Sequence, residues 1–156
     1  MIRQFATFYL GEGLFGIDVL LVREINRNLE ITDVDPSPDF VVGLMNLRGQ
    51  IVSVADLGVR LGLERRIIGK ATCCIVLKTD EELQRLRDEG LLSENTSKDI
   101  VGLVVDKIGD MITVDDRNIE PPPANMNGVD GKFLGGVVKL DAELMATLKV
   151  AEILAM

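Results

Sequence analysis

Apolar side chains occupy nearly every position of residues 40–57, apart from one polar interruption at 46–50. A strand wetted on one face would alternate strictly, so both faces of this stretch are predicted to be covered. Arg48-Gly49 is typical of a tight reversal, because glycine adopts the positive φ that hairpin turns require. We therefore predict two strands, 40–47 and 50–57, joined by a turn that presents Arg48. The pattern leaves open whether residues 48–49 or 49–50 form the centre of the turn.

The N-terminal part is predicted to contain a strand at 5–10 and a second extended stretch at 15–25. Between them, residues 11–16 match G-x-G-x-x-G. A dinucleotide site needs those glycines to open a helix within a βαβ unit, yet the following residues favour extended structure. Asp33 and Asp35 lie near the distance of a ribose-binding carboxylate, but in a Pro-flanked loop. A glycine-rich hairpin loop is therefore the preferred interpretation.

Short strands separated by turns continue to the end of the chain, which indicates small barrels. The connection 26–39 is broken by Pro36 and Pro38, with Ile31 and Val34 marking a short strand. The further predicted strands are a buried one at 72–77, two at 100–105 and 111–114 around a turn at 106–110, and a pair at 133–140 and 144–150. A helical turn is predicted at 56–63 and a helix from Ala151. The prolines 121–123 predict a stiff extended crossing, and 125–131 a loop.

Residues 78–99 differ from the rest of the chain in character. Thr79 and Glu82 form a capping-box pattern, and Leu83, Leu86 and Gly90 fit a helix over about 80–89. The following residues 91–99 are polar and predicted to be a loop. We interpret this segment as a solvated excursion, with an extra contact surface as the alternative.

Composition narrows the class of function. At 156 residues, the chain forms one domain or two closely joined halves. Its net charge of −8 argues against binding to nucleic acid or to anionic lipid, both of which attract basic surfaces. No secretory signal or apolar run of bilayer length is present, so we expect a cytoplasmic protein without direct membrane contact.

Candidate catalytic chemistry is sparse. The chain contains no histidine, which removes the commonest general base and imidazole metal ligation. Cys73 and Cys74 are adjacent in a predicted strand, so their side chains point to opposite faces and are expected to be buried thiols. Asp106 and Asp110 are expected to bracket a turn rather than form a catalytic pair. We expect no cofactor and no metal, and interpret the chain as a binding module.

Four motifs, in order, resemble those of the CheW-like domain. Residues 46–57 are similar to its NLRG-x-I-x-P-x-x-D-L signature. The other three are FGIDVLLVREI at 15–25, VGLVVD at 101–106 and IEPPP at 119–123. The resemblance implies an all-β fold with short helices: two intertwined five-stranded SH3-like β-barrels in a single domain over 1–156, whose first and last strands share a half. Relative to the family pattern, 78–99 is an insertion of about fifteen to twenty residues, a length that surface loops tolerate.

The resemblance implies a non-enzymatic adaptor that couples methyl-accepting chemotaxis receptors to the histidine kinase CheA through its CheW-like regulatory domain. The adaptor would be recruited to membrane-associated receptor arrays. The family's receptor-binding positions correspond to Val22, Glu24 and Arg48, together with Cys73 where the family often has Val. The turn motif corresponds to Asn46, Leu47 and Gly49.

Strand alternation predicts that Val22 and Glu24 share one face of their strand and that Ile25 points from the other face into the core. Three alternative functions stay open. One is a CheW-like adaptor of a non-flagellar chemosensory pathway, another is a nucleotide-binding enzyme using Gly11–Gly16, and the third is a structural module that only self-associates.

Overall fold

The computed structural model describes residues 1–33 and 40–155, and strands are the commonest regular element among them. The strands are β1 (Ile2–Leu10), β2 (Gly13–Asp18), β3 (Val22–Asn26), β4 (Ile31–Asp33), β5 (Val41–Leu47), β6 (Gln50–Asp56), β7 (Cys73–Leu77), β8 (Val101–Val105), β9 (Lys107–Asp115), β10 (Asn125–Met126), β11 (Val129–Asp130), β12 (Leu134–Lys139) and β13 (Leu144–Leu148). The helices are α1 (Leu57–Arg60), α2 (Asp80–Asp88) and α3 (Val150–Leu154), with single 3₁₀ turns at Val19–Leu21, Asp116–Asn118 and Gly131–Phe133.

Two sheets share the chain in an interwoven order. The first has the order β12-β13-β2-β1-β9 and the second β3-β7-β8-β6-β5-β4. The strands from the two ends of the chain meet where β13 pairs in parallel with β2. The all-β architecture with interwoven halves is therefore confirmed, with one difference. The second sheet has six strands rather than five, because the short β4 pairs with the outer edge of β5.

The predicted extended stretch 15–25 is wrong as a single element. The carboxylate of Asp18 accepts a hydrogen bond from the Leu20 amide at 2.9 Å and caps the 3₁₀ turn at Val19–Leu21. The chain leaves the first sheet at this turn and enters the second as β3. Apolar and β-branched residues continue on both sides of the turn, so the sequence pattern did not reveal the break.

Both predicted hairpins are present. β1 and β2 pair antiparallel around Gly11, which has a φ of 61°, so residues 11–16 form a hairpin instead of opening a helix. In the β5–β6 hairpin, Leu47 pairs with Gln50, which centres the turn on Arg48 (φ 51°) and Gly49 (φ 85°). Two consecutive positive φ values define the type I′ turn whose twist matches the flanking strands.

Two predicted loops are wrong. Residues 107–110 belong to the nine-residue strand β9, which pairs with β1, and only Asp106 separates β9 from β8 in the other sheet. Residues 125–130 form the small β10–β11 ribbon around Asn127-Gly128, whose φ values are 52° and 81°. An Asn-Gly pair favours this hairpin turn, and that local preference was missed.

The remaining elements lie close to their predicted positions. These are β7, the β12–β13 pair, α1, α2, α3 and the short strand β4 at Ile31–Asp33. The predicted participation of Val34, like the position of Asp35, falls outside the described residues. No helix in the part of the chain that the structure describes is long and apolar enough to cross a membrane.

One large aliphatic cluster joins the two sheets and extends to the segment 78–99. It contains Phe8 and Phe15 from the first sheet, Leu77 and Leu103 from the second, and Leu83 from α2. Leu83 is 0% exposed. The interpretation of 78–99 as a solvated excursion is therefore wrong, because the helix contributes a fully buried side chain to the core.

Candidate functional site

The type I′ turn presents Arg48 next to β3. The Arg48 side chain is 71% exposed and forms an ion pair with Glu24, whose side chain is 25% exposed. Asn46 stabilises the turn, since its Oδ1 accepts a hydrogen bond from the Gly49 amide at 2.9 Å. Two of the predicted binding residues, Glu24 on β3 and Arg48 at the tip of the β5–β6 hairpin, are thus in direct contact.

A bulge in β3 changes the predicted orientation of its side chains. Val22 pairs with Leu77 and Glu24 pairs with Val76. An advance of two residues along β3 therefore corresponds to an advance of one residue along β7. Paired residues share a face and neighbours on β7 alternate, so Val22 and Glu24 lie on opposite faces. Val22 packs against the large core cluster. The prediction that they share one face is wrong.

The expectation that Ile25 is a core residue is also wrong, since its side chain is 38% exposed at the sheet edge. Ile25 pairs with the buried Ile75 of β7 and so lies on the core-facing side, but β3 is the edge strand of its sheet and leaves Ile25 partly uncovered. Cys73 is 0% exposed and belongs to the large core cluster. It therefore lies behind the surface formed by Glu24 and Arg48 and is not part of it.

The two cysteines face different cores, as predicted from their adjacency. Cys73 belongs to the large cluster, and Cys74 packs in a second cluster with Met45, Val52 and Val54. Burial, reinforced by the neighbouring Cys73, raises the pKa of the Cys74 thiol to about 12. Leu47 packs against the second cluster from the side of the turn.

Sequence reasoning missed Arg23, which links the hairpin to α2. Its guanidinium pairs with Glu82, with Nε 3.2 Å from Oε2, and its Nη1 donates to Gln50 Oε1 at 3.2 Å. Partial burial by itself would raise the pKa of Glu82, but hydrogen bonds from Arg23 and Thr79 lower it below the usual range. The sequence did carry a signal for this role: an arginine stands between Val22 and Glu24 in a half-buried strand, where a charged side chain needs a partner.

Arg23, Glu24, Arg48 and Gln50 form what we call the hairpin surface. Three of these residues line a depression of about 540 Å³, whose other lining residues are Thr79, Glu81, Glu82, Lys98 and Ile100. Ile51 pairs with Asn46 beside the turn and is 58% exposed. Fixed charges next to exposed aliphatic area are typical of a protein–protein contact.

Asp106 and Asp110, considered as a possible catalytic pair, lie in different structural settings. Asp106 accepts hydrogen bonds from the Gly11 amide at 2.6 Å and from Arg66 at 2.8 Å. Asp110 lies within β9 instead of across a turn from Asp106. Across residues 1–33 and 40–155, no three His, Cys, Asp or Glu side chains cluster in a way that could hold a metal ion.

Comparisons with family models, with known proteins and with solved structures all indicate the same family. The family model of the CheW-like domain matches residues 4–156. Similar proteins include the chemotaxis protein CheW of Treponema pallidum (27% identity over 94% of this chain and 79% of the relative) and that of Klebsiella aerogenes (28%, over 98% and 82%). The crystal structure of the scaffolding protein TtCheW from Thermoanaerobacter tengcongensis is 28% identical with a TM-score of 0.80, covering 100% of this chain and 90% of that one. The chain thus belongs to the CheW-like domain family.

Proposed function

We propose that this chain is a non-enzymatic adaptor that couples chemoreceptors to the histidine kinase CheA in bacterial chemotaxis signalling. Its membership of the CheW-like family supports this role, as do relatives named chemotaxis protein CheW. The similar TtCheW is described as a scaffolding protein. Attachment to a receptor array would come from protein contacts, which agrees with the net charge of −8.

The exposed Arg48 guanidinium, held by a type I′ turn beside Glu24, is the observation that carries the proposal. The proposed partner of this surface is the tip of a receptor's helical hairpin, and a carboxylate there would pair with Arg48. A guanidinium on a rigid turn can bind a carboxylate without the entropy cost of ordering a loop. Glu24 orients Arg48 and adds a second charge that fixes the docking register. Val22 supports the surface from below, and Cys73 has no direct contact with the partner.

The kinase contact is proposed to involve CheA's own CheW-like regulatory domain. Two related folds can associate through corresponding faces of their halves, and this chain has two such halves. An adaptor of this kind transmits receptor state through the geometry of its contacts. Reconstitution of receptor and kinase, with kinase activity measured with and without this chain, tests that arrangement.

Arg48→Glu tests the receptor contact. We expect the variant to lose capture by a receptor cytoplasmic fragment while circular dichroism and thermal unfolding stay unchanged. Arg85→Glu is the matched control, because Arg85 is an exposed arginine of α2 (88% of its side chain) outside the hairpin surface. Unchanged capture by Arg48→Glu would overturn the proposal, whereas loss of folding would assign Arg48 a structural role.

A further inference from the structure

Helix α2 is held in a fixed position beside the hairpin surface. The Arg23–Glu82 ion pair joins the helix to β3, and the buried Leu83 anchors it in the core. The chain on either side of the helix is also tied together. Asp80 Oδ1 accepts a hydrogen bond from the Thr96 amide at 2.7 Å, and Thr96 Oγ1 donates to the Lys78 carbonyl at 2.6 Å. The segment 78–99 is therefore a rigid extension of the sheet edge.

Two exposed charges of this segment line the same depression as Arg48. Glu81 stands in the first turn of α2 and Lys98 in the loop before β8. Neither side chain forms an ion pair with another residue of the described chain. Arg23 and Arg48, in contrast, are each paired with a glutamate. Among the described residues, Glu81 and Lys98 are thus charges of the depression without an ion-pair partner within the chain.

We infer that Glu81 and Lys98 form a second wall of the receptor-binding surface and select among receptors by charge. This inference rests on the proposed function, and its occupant is the helical surface of a receptor tip that carries a basic and an acidic side chain. Two opposite charges on one rigid wall fit a partner with the opposite pair, and disfavour a partner that places like charges there.

The exposed position of Glu81 and Lys98 supports a role in the choice between receptors more than in the overall binding affinity. Both charges are exposed at the margin of the depression, where a single ion pair contributes little to binding strength. Charges at the margin of an interface mainly set the association rate and the choice of partner. A receptor contact made by Arg48 alone would not discriminate in this way.

The experiment measures the affinity of a receptor cytoplasmic fragment for the full chain and for Glu81→Lys and Lys98→Glu, at low and high salt. We expect each reversal to weaken binding about five-fold at 50 mM salt, and the difference to shrink at 500 mM, because screening removes exposed-charge effects. Thermal unfolding and CheA binding should stay unchanged.

Two matched controls carry the same charge changes elsewhere. Asp88→Lys lies two turns further along the exposed face of α2, and Lys70→Glu lies in an exposed loop outside the depression. Both should bind the fragment within about two-fold of the unaltered chain. The inference is overturned if Glu81→Lys and Lys98→Glu bind like the controls while Arg48→Glu still abolishes binding. Absence of binding by the unaltered chain overturns the proposed function and the inference with it.

Discussion

Arg66 and Asp106 form an ion pair that joins the two sheets. Arg66 Nη1 lies 2.8 Å from Asp106 Oδ2, and the Arg66 side chain is only 10% exposed. Asp106 stands between β8 and β9, the strands where the chain crosses from the second sheet to the first, and also accepts the Gly11 amide of the β1–β2 turn. The Arg66 amide in turn donates to the buried Asp56 at 2.7 Å. The final Asp of the VGLVVD motif thus has a structural role.

Asp106→Asn should destabilise the fold by about 2 kcal/mol, because it leaves a largely buried guanidinium without its counter-charge. Denaturant unfolding followed by circular dichroism measures the change. Glu89→Gln is the control, since it removes an exposed ion pair with Arg85 and should cost less than about 0.5 kcal/mol. Equal effects of the two substitutions would contradict a special role for Asp106.

The neighbouring strand β7 places the sulfur of Cys74 directly beside Gly102 of β8, so there is no room for a side chain at residue 102. A Cβ at residue 102 would lie 2.3 Å from Cys74 Sγ. Gly102→Ala should therefore cost about 2 kcal/mol through overpacking. Adding Cys74→Ala should recover part of that loss, because it removes the overlapping atom. Gly69→Ala, where the Cβ meets open space, should be nearly neutral. Additive effects of Gly102→Ala and Cys74→Ala would refute this explanation.

Burial of Cys74 predicts a loss of stability at alkaline pH. The thiol has a pKa of about 12 in the folded chain, against an ordinary value of 9.0. Above pH 9 the unfolded chain releases this proton and the folded chain retains it. Stability is therefore complete below pH 9 and falls by about 1.4 kcal/mol per pH unit between pH 9 and 12. Urea unfolding at pH 8 and pH 10.5 should show a steeper decline for the unaltered chain than for Cys74→Ala.

Most strands were predictable because their burial follows from local sequence. β7 is apolar at every position and all five residues are buried, as a strand covered on both faces should be. Apart from the missed Asn127-Gly128 turn, which has a local cause, errors occur where the direction of the chain depends on one hydrogen bond or on partners distant in sequence. The 3₁₀ turn after Asp18 is one case, and the pairing of residues 107–110 with β1 is another.

The candidate site was predictable in part. The turn that presents Arg48 has a local cause in Gly49, so it could be placed from sequence. The ion pair with Glu24 depends on β3 lying beside the hairpin, which the resemblance implied and local patterns did not. The bulge that separates Val22 from Glu24 breaks the two-residue period, and no residue type in β3 marks it. The contacts of Arg23 with Glu82 and Gln50, which bring α2 beside the hairpin, depend on tertiary packing.

Leu83→Ala measures how firmly α2 belongs to the fold. Because Leu83 is 0% exposed in the large cluster, truncation should cost about 3 kcal/mol. Leu91→Ala in the same segment is the control, since Leu91 is 45% exposed and should cost less than about 1 kcal/mol. Thermal or denaturant unfolding distinguishes the two. Equal, small effects would mean that the segment opens independently of the core.

The double substitution Glu24→Arg with Arg48→Glu separates two roles of Arg48. The swap restores an ion pair of reversed polarity at the same place, so stability should stay within about 0.5 kcal/mol of the unaltered chain. If Arg48 acts only by holding Glu24 in place, the swapped pair should regain part of the receptor binding lost in Arg48→Glu.

The exposure of Arg48, 71% of its side chain, predicts the other result. The guanidinium must reach the partner, so the swap places a carboxylate where the receptor meets a cation and binding should stay lost. Capture by the receptor fragment, measured beside each single substitution, distinguishes the roles. Recovery of binding by the swap would transfer the receptor contact from Arg48 to its neighbours on the hairpin surface.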